Sequence, residues 1–356
     1  MAQGRTLLKR FFAIPICGMT TRRLNQWLSI VLLSTGLCTS TFASTEQQCP
    51  ANNFADFVKI FSSDSAVQKA FTASPIKATH VVAEGNIPKV VVRSLKDLPA
   101  DELSVLSAES AAASSLAIEI TFPNRVVVRD QQGTFLKIFV FKHSDCWVLN
   151  SVEDWTLEAV MDDVARTDRP SPGERELKKG VMFDRLVNKA SGKSDVSLYA
   201  ASLDSYVDGA RKGSAQAAIA TAGISLSGQA PRLPNEQILK LMNQGFQSNP
   251  DDGVFLSLFY CDEGEYGNDK ACIDPQKSMA TLESAALRGS TRALLRLGEV
   301  YETGTVVAAD LPRAMACYRE ASKTELKWSP AAVERLLVRG VVMDSSIECI
   351  GAGGTQ

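Results

Sequence analysis

The first clear pattern along the chain is helical. In "ANNFADFVKIFSSDSAVQKAF" the apolar residues Phe54, Phe57, Val58, Phe61 and Val67 recur near helical spacing, which predicts an amphipathic helix. The pattern then shortens to strand-like apolar runs in "KVVVRSL", "AIEITF", "NRVVVRD" and "FLKIFVFKHSDCWVLNSV". "RVVVRD-QQG-TFLKIFVF" predicts a hairpin whose bend uses Gly133 at positive φ, and "KHSDC" predicts a second tight turn. A helix followed by a twisted antiparallel sheet is an α+β arrangement. "DRPSPGER", residues 168–175, breaks the pattern with two prolines and a glycine, and beyond it the chain is helical and alanine-rich. The expected divisions are an α+β domain over 44–167, a linker and helical connection over 168–200, helical repeats over 201–343 and a tail over 344–356.

The helical part repeats itself. "DPQKSMATLESAALRGS" from Asp274 aligns with "DLPRAMACYREASKTEL" from Asp310 at an offset of 36, and "GARKGS" ending at Ser214 echoes "ALRGS" at Ser290 at an offset of 76. The most regular unit carries Ala293, Leu297, Gly298, Tyr301, Gly304, Asp310, Arg313, Ala314, Tyr318 and Ala321. Small residues at facing positions let paired helices approach, while Leu297 and Tyr301 fill the groove between them. Gly304 ends the first helix and Asp310 caps the second. No such unit buries its apolar face alone, so neighbours must stack into a solenoid. These residues are read as scaffold.

In spacing, this unit resembles a Sel1-like repeat, a short relative of the tetratricopeptide repeat, and the resemblance covers roughly residues 200–342. It implies a row of first helices lining a concave groove. On the helix 290–303, Arg292, Arg296, Glu299 and Thr303 form one outward stripe. The offsets set Gln216, Ala220, Ser257, Tyr260 and Arg335 at equivalent places. Tyr260, Arg292, Arg296, Glu299 and Arg335 are the candidate partner contacts, because Tyr and Arg commonly anchor interfaces. In the α+β part, "FADFVKIFSSDSAVQKAFTASPI" followed by "FVFKHSDCWVLNSVED" resembles small exported bacterial domains with a cone-like, NTF2-like fold over about 115 residues. Such folds can hold a pocket between helix and sheet.

Charge and cysteine content add a compartment. The net charge of −2 conceals five basic residues and no acid in residues 1–43, which leaves −7 on the rest. An acidic remainder is a poor partner for nucleic acid or an anionic membrane. "TTRRLNQWLSIVLLSTGLCTSTFAS" has the layout of a signal peptide, with cleavage expected after Ala43 and either Met1 or Met19 as the start. Its apolar run is too short for a comfortable membrane span. Export to the periplasm, with no stable membrane insertion after signal removal, is the expectation. Outside the signal, Cys49, Cys146, Cys261, Cys272, Cys317 and Cys349 make an even set that admits 15 pairings. Chain proximity favours Cys261–Cys272 and Cys49–Cys146, which leaves Cys317–Cys349.

Candidate chemistry is sparse. His80 and His143 are the only histidines. His80 is read at a strand start and His143 in a turn beside Asp145. No Gly-x-Ser-x-Gly, phosphate-cradling glycine loop or His-Glu-x-x-His is present. Zinc lacks a Cys-x-x-Cys pair, and the acids of "CDEGEYGNDKACID" do not have the spacing of an EF-hand calcium loop. That stretch reads instead as a disulfide-pinned acidic loop presenting Tyr266 to a partner. The expectation is a non-enzymatic module without catalytic residues, metal or cofactor, whose partner is another protein: an envelope component or a secreted toxic enzyme. The alternative is small-ligand binding or hydrolysis in the pocket of the first domain.

Overall fold

The computed structural model describes residues 48–85, 87–158, 160–161, 171–189, 194–265, 271–323 and 328–351. The expected signal at 1–43, residues 168–170 of the Pro-containing boundary and Tyr266 lie outside these residues. From Gln48 onward the described chain forms one unit.

Helix α1 (Phe54–Ser63) starts where Asn53 accepts hydrogen bonds from the backbone N–H groups of Ala55 and Asp56. It buries Phe54, Phe57, Val58 and Phe61, the residues its spacing marked. A short helix α2 (Ser65–Ala70) follows, capped by Asp64. Six strands come next in the chain: β1 (Thr72–Glu84), β2 (Ile87–Leu95), β3 (Ala117–Thr121), β4 (Arg125–Arg129), β5 (Leu136–His143) and β6 (Trp147–Asp154). Helices α3 (Ala100–Ser104) and α4 (Ala108–Ala113) lie between β2 and β3. The sheet order is β2-β1-β6-β5-β4-β3.

The sheet is mixed, which corrects the antiparallel expectation. β1 runs parallel to β6, with His80 opposite Asp154, and the other neighbours are antiparallel. A parallel pair needs a long crossover, supplied here by the whole stretch between β1 and β6, β2 included. The 125–143 hairpin forms as expected, with Gly133 at φ +64°. His80 lies inside the long strand β1 and not at its start.

Both sheet faces are covered. On one, Phe57 and Phe61 of α1 and Leu103 and Leu106 pack over Val126, Phe139, Phe141, Leu149 and Val152. The Phe61 and Phe141 rings meet edge to face at 5.3 Å. On the other face, Leu136, Ile138 and Trp155 are buried against α5 (Glu174–Val187) and α6 (Ser194–Arg211), through Met182, Phe183, Leu186 and Leu198. Within the expected connection 168–200, residues 174–187 are therefore half of a sheet-covering layer.

Polar ties fix this layer. The Lys179 ammonium donates to the Gln132 carbonyl in the hairpin bend. Arg129 of β4 pairs with Asp204 of α6. A Cβ on Gly133 would lie 2.7 Å from Ser205 Oγ and 3.0 Å from the Ala201 carbonyl, so glycine answers both a positive φ and a close approach.

Helix pairs continue from there: α7 (Ala215–Leu226) with α8 (Asn235–Ser248), α9 (Gly253–Asp262) with α10 (Pro275–Leu287), α11 (Thr291–Thr303) with α12 (Leu311–Ala321), then α13 (Trp328–Val338). The expected punctuation is present. Ser214 and Ser290 cap α7 and α11, Asp274 and Asp310 cap α10 and α12, and Gly304 closes α11 at φ +69°. Three disulfides form: Cys49–Cys146, Cys261–Cys272 and Cys317–Cys349.

Candidate functional site

The regular unit is held by a glycine against a tyrosine. A Cβ on Gly298 of α11 would stand 2.5 Å from the Tyr318 ring of α12, so only glycine admits that ring. The Tyr318 hydroxyl donates to Glu302, one turn past Gly298, at 2.9 Å. Glu302 also accepts from Arg335 at 2.6 and 3.0 Å and from Arg339 at 3.0 Å, which ties α11, α12 and α13 together. The hydrogen bond from Arg335 is the main cause holding the Glu302 carboxyl below its ordinary pKa. Burial, then the hydrogen bond to Glu302, pushes the Tyr318 phenol up.

The same device recurs in the first pair, which the sequence pattern did not reveal. A Cβ on Gly180 of α5 would stand 2.3 Å from the Tyr206 ring of α6, and the Tyr206 hydroxyl donates to Asp184 at 2.6 Å. Glycine, an acid four residues later and a tyrosine on the second helix thus appear at both ends of the array. The longer α6 conceals the match, because its tyrosine follows the glycine at a greater distance than in the α11–α12 pair. The pair that covers the sheet is therefore built like a repeat.

A register change relocates part of the expected groove. Asp274 N–H donates to the Tyr260 carbonyl just as Asp310 N–H donates to that of Tyr301. Lys277 lies over the Tyr260 ring at 5.7 Å, as Arg313 lies over the Tyr301 ring at 4.6 Å. Glu263, at φ +50°, caps α9 where Gly304 caps α11. First helices are thus offset by 41 here and second helices by 36, because the Cys261–Cys272 loop carries five extra residues. Tyr260 is consequently the counterpart of Tyr301, and Ser257, 1% exposed, that of Gly298. Neither shares the outward stripe. In the corrected register Asp251, Phe255 and Leu258 do, and Phe255 is 48% exposed.

The stripe on α11 faces outward as expected. Arg292 and Glu299 are exposed and Arg296 is half-buried. Arg296 pairs with Glu299 at 2.9 Å, and Arg292 reaches Asp251, in the short turn before α9, at 3.9 Å. Gln216, Ala220 and Gly223 continue the row on α7, and a Cβ on Gly223 would meet nothing within 4 Å. Arg335 stands apart, because its guanidinium is engaged by Glu302.

In the first domain the space between α1 and the sheet is filled by Phe57, Phe61, Phe139 and Phe141, each at most 1% exposed. A cleft of about 170 Å³ is lined by His80, Arg93, Leu98, Glu102, Val152 and Asp154. Beneath it Lys137 contacts Glu102 at 2.6 Å and Asp154 at 3.2 Å. Burial opposes the charge on Lys137, but the bonds and fields of these two carboxylates outweigh it and raise its pKa. His143 packs its ring on Trp147 at the other end of β6, so the two histidines cannot act as a pair. Among the described residues the carboxyls pushed up by burial are Asp204 and Asp252, and neither lines this cleft.

Among the described residues no cluster of three or more His, Cys, Asp or Glu suits a metal ion, and no helix is long and apolar enough to cross a membrane. In the acidic loop, Asp262 accepts from Gly264 N–H, and Glu263 accepts from Asn235 and Arg232.

Fold and site together define an α+β domain fused to a helical repeat array. Two solved structures are similar over about half of this chain. One is a protective antigen present in uropathogenic Escherichia coli strains and displaying an SLR fold, with 17% identity and a TM-score of 0.40 over 53% of this chain and 38% of its own. The other is a Sel1 repeat protein from Oxalobacter formigenes, with 19% identity and a TM-score of 0.39 over 52% of this chain and 74% of its own. This chain thus spans well under half the length of the first. No family model and no curated protein matches the chain.

Proposed function

We propose that this is an exported, non-enzymatic binding module. In this reading residues 1–43 are a removed signal, an NTF2-like domain leads, and Sel1-like repeats hold another protein along their first helices. The carrying observation is the division of labour on those helices. The patterned residues Ala293, Leu297, Gly298 and Tyr301 are buried in packing, while Arg292, Glu299 and Phe255 stay exposed along one row. Exposed arginine and aromatic side chains on a rigid scaffold suit a protein partner. Three disulfides favour an oxidising compartment such as the periplasm. Helices α1 to α3, whose Phe57, Phe61, Val67 and Leu103 pack in the cluster on one face of the six-stranded sheet, support the NTF2-like reading. The partner is an envelope component, for an adaptor, or a secreted toxic enzyme, for an immunity protein. Tyr266 on the acidic loop is an additional proposed contact.

The test is affinity capture from envelope and secreted extracts, with wild type beside an Arg292→Ala, Arg296→Ala variant. A stoichiometric partner lost from the variant supports the reading, and a hydrolase inhibited by the protein makes the role immunity. Equal retention by the variant removes the row from the site. Capture of nothing turns attention to the cleft at His80 and Arg93 and to a small ligand there.

A further inference from the structure

Two rows of side chains cross the sheet on the face that α1 covers. The strand registers set Lys137 of β5 beside Asp154 of β6, Asp154 beside His80 of β1, and His80 beside Val91 of β2. The neighbouring row is Phe139, Val152, Ala78 and Arg93. Phe139 and Val152 are buried in the cluster below α1, which fixes the face that both rows share. Between Val152 and Arg93 the row carries only the methyl group of Ala78, and that small side chain lines the cleft of about 170 Å³ described above.

The charges of this cleft balance in number but not in place. Glu102 and Asp154 share one ammonium, that of Lys137, at 2.6 and 3.2 Å, so their end holds a surplus negative charge. Lys137 meets Glu102 through Oε2, and Asp154 Oδ1 accepts from the Thr156 N–H at 3.0 Å. Glu102 Oε1 is left with no donor among the described residues. At the other end Arg93 is exposed on β2, with no ion-pair or hydrogen-bond partner among the described residues. Arg93 and Asp154 stand two strands and two residues apart, a backbone separation of about 12 Å that the arginine side chain shortens. Apolar Ala78, Val152 and Leu98 line the space around these poles.

We infer that the cleft binds a small zwitterion with the chemistry of a free amino acid. Its carboxylate lies on Arg93, its ammonium on Glu102 and Asp154, and its apolar body over Ala78, Val152 and Leu98. An anion without an ammonium meets the surplus negative charge, and a cation without a carboxylate meets Arg93, so neither suits both ends. The cleft is smaller than the pockets of roughly 300–1,000 Å³ that take drug-sized ligands, which sets the size class. This gives a chemical class to the small ligand considered for the cleft, and it stands whether or not the helical row binds a protein.

The experiment is titration calorimetry of the purified protein with leucine, valine and methionine. Isocaproate and isoamylamine, which are leucine without its ammonium and without its carboxylate, serve as controls. Arg93→Gln and Glu102→Gln variants are titrated alongside. Arg93 is exposed and unpaired, so Arg93→Gln folds, and an unchanged thermal midpoint establishes that. The expected result is one-to-one binding of at least one amino acid, weakened about tenfold or more in each variant. Isocaproate and isoamylamine are expected to bind at least about tenfold more weakly than leucine where leucine binds. No binding of any of the three amino acids at millimolar concentration overturns the inference. Full affinity in folded Arg93→Gln overturns it too, as does isocaproate binding as tightly as leucine.

Discussion

Glycine has opposite meanings at different positions of this chain, and the neighbour decides which. Gly298 and Gly180 each admit a tyrosine ring that a Cβ would strike at 2.5 and 2.3 Å, whereas Gly223 on α7 faces open space. Gly298→Ala is expected to destabilise by about 1–3 kcal/mol through overpacking. Gly223→Ala is expected to stabilise by about 0.5–1 kcal/mol through helix propensity. Denaturant midpoints for the two variants should move in opposite directions, and movement in the same direction would refute the packing account. Glu302 makes a second residue-scale prediction. Its folded pKa lies below the ordinary carboxylate value, so its contribution is complete above the unfolded pKa and is lost as pH falls through the folded one. The stability gap between wild type and Glu302→Gln should therefore hold near neutrality and close below about pH 4.3. A gap that persists in strong acid would assign the loss to packing alone.

At the scale of elements, local chemistry was legible and long-range strand pairing was not. The α1 face, the 125–143 hairpin, the caps at Ser290 and Asp310 and the close at Gly304 each follow from residues within a few positions of one another. The parallel join of β1 to β6 is set by contacts across some seventy residues, and "TASPIKATHVVAE" has too mixed a pattern to announce it. Half of the site was legible for the same reason. Arg292, Arg296 and Glu299 sit on the unit whose spacing is regular, but the five extra residues in the Cys261–Cys272 loop shift α9, so Phe255 and not Tyr260 continues the row. Arg335 was legible as an exposed arginine but not as a partner of Glu302. The disulfides close loops of very different length, with separations of 97, 32 and 11 residues. In the chain-entropy model, replacing Cys49 and Cys146 by Ser should cost about 2 kcal/mol more than replacing Cys261 and Cys272, with Cys317 and Cys349 between. Thermal midpoints of the three paired variants test that order, and the reverse order would contradict it.

For the whole molecule, the consequential feature is that α5 and α6 serve two structures. They cover the sheet through Phe183 and Leu186, and they form the first helix pair of the array through Gly180 and Tyr206. Sheet and repeats therefore share a layer and are expected to unfold together. In a Trp328→Phe background, where the indoles outside residues 1–43 are Trp147 and Trp155, fluorescence should follow the same transition as helical circular dichroism. Phe183→Ala, at 0% exposure, should lower that transition by about 3–5 kcal/mol. Separate transitions in the wild type would show that the two parts are independent.

The proposal that the exposed row on α7, α9 and α11 is a recognition surface is the claim to test first. Hydrogen-exchange footprinting of the protein with its captured partner tests it most directly. The account predicts protection of amides on α7, α9 and α11 beside Ala220, Phe255 and Arg296, with little change around His80 and Arg93. Protection concentrated at that cleft, with the helical row unchanged, would contradict it.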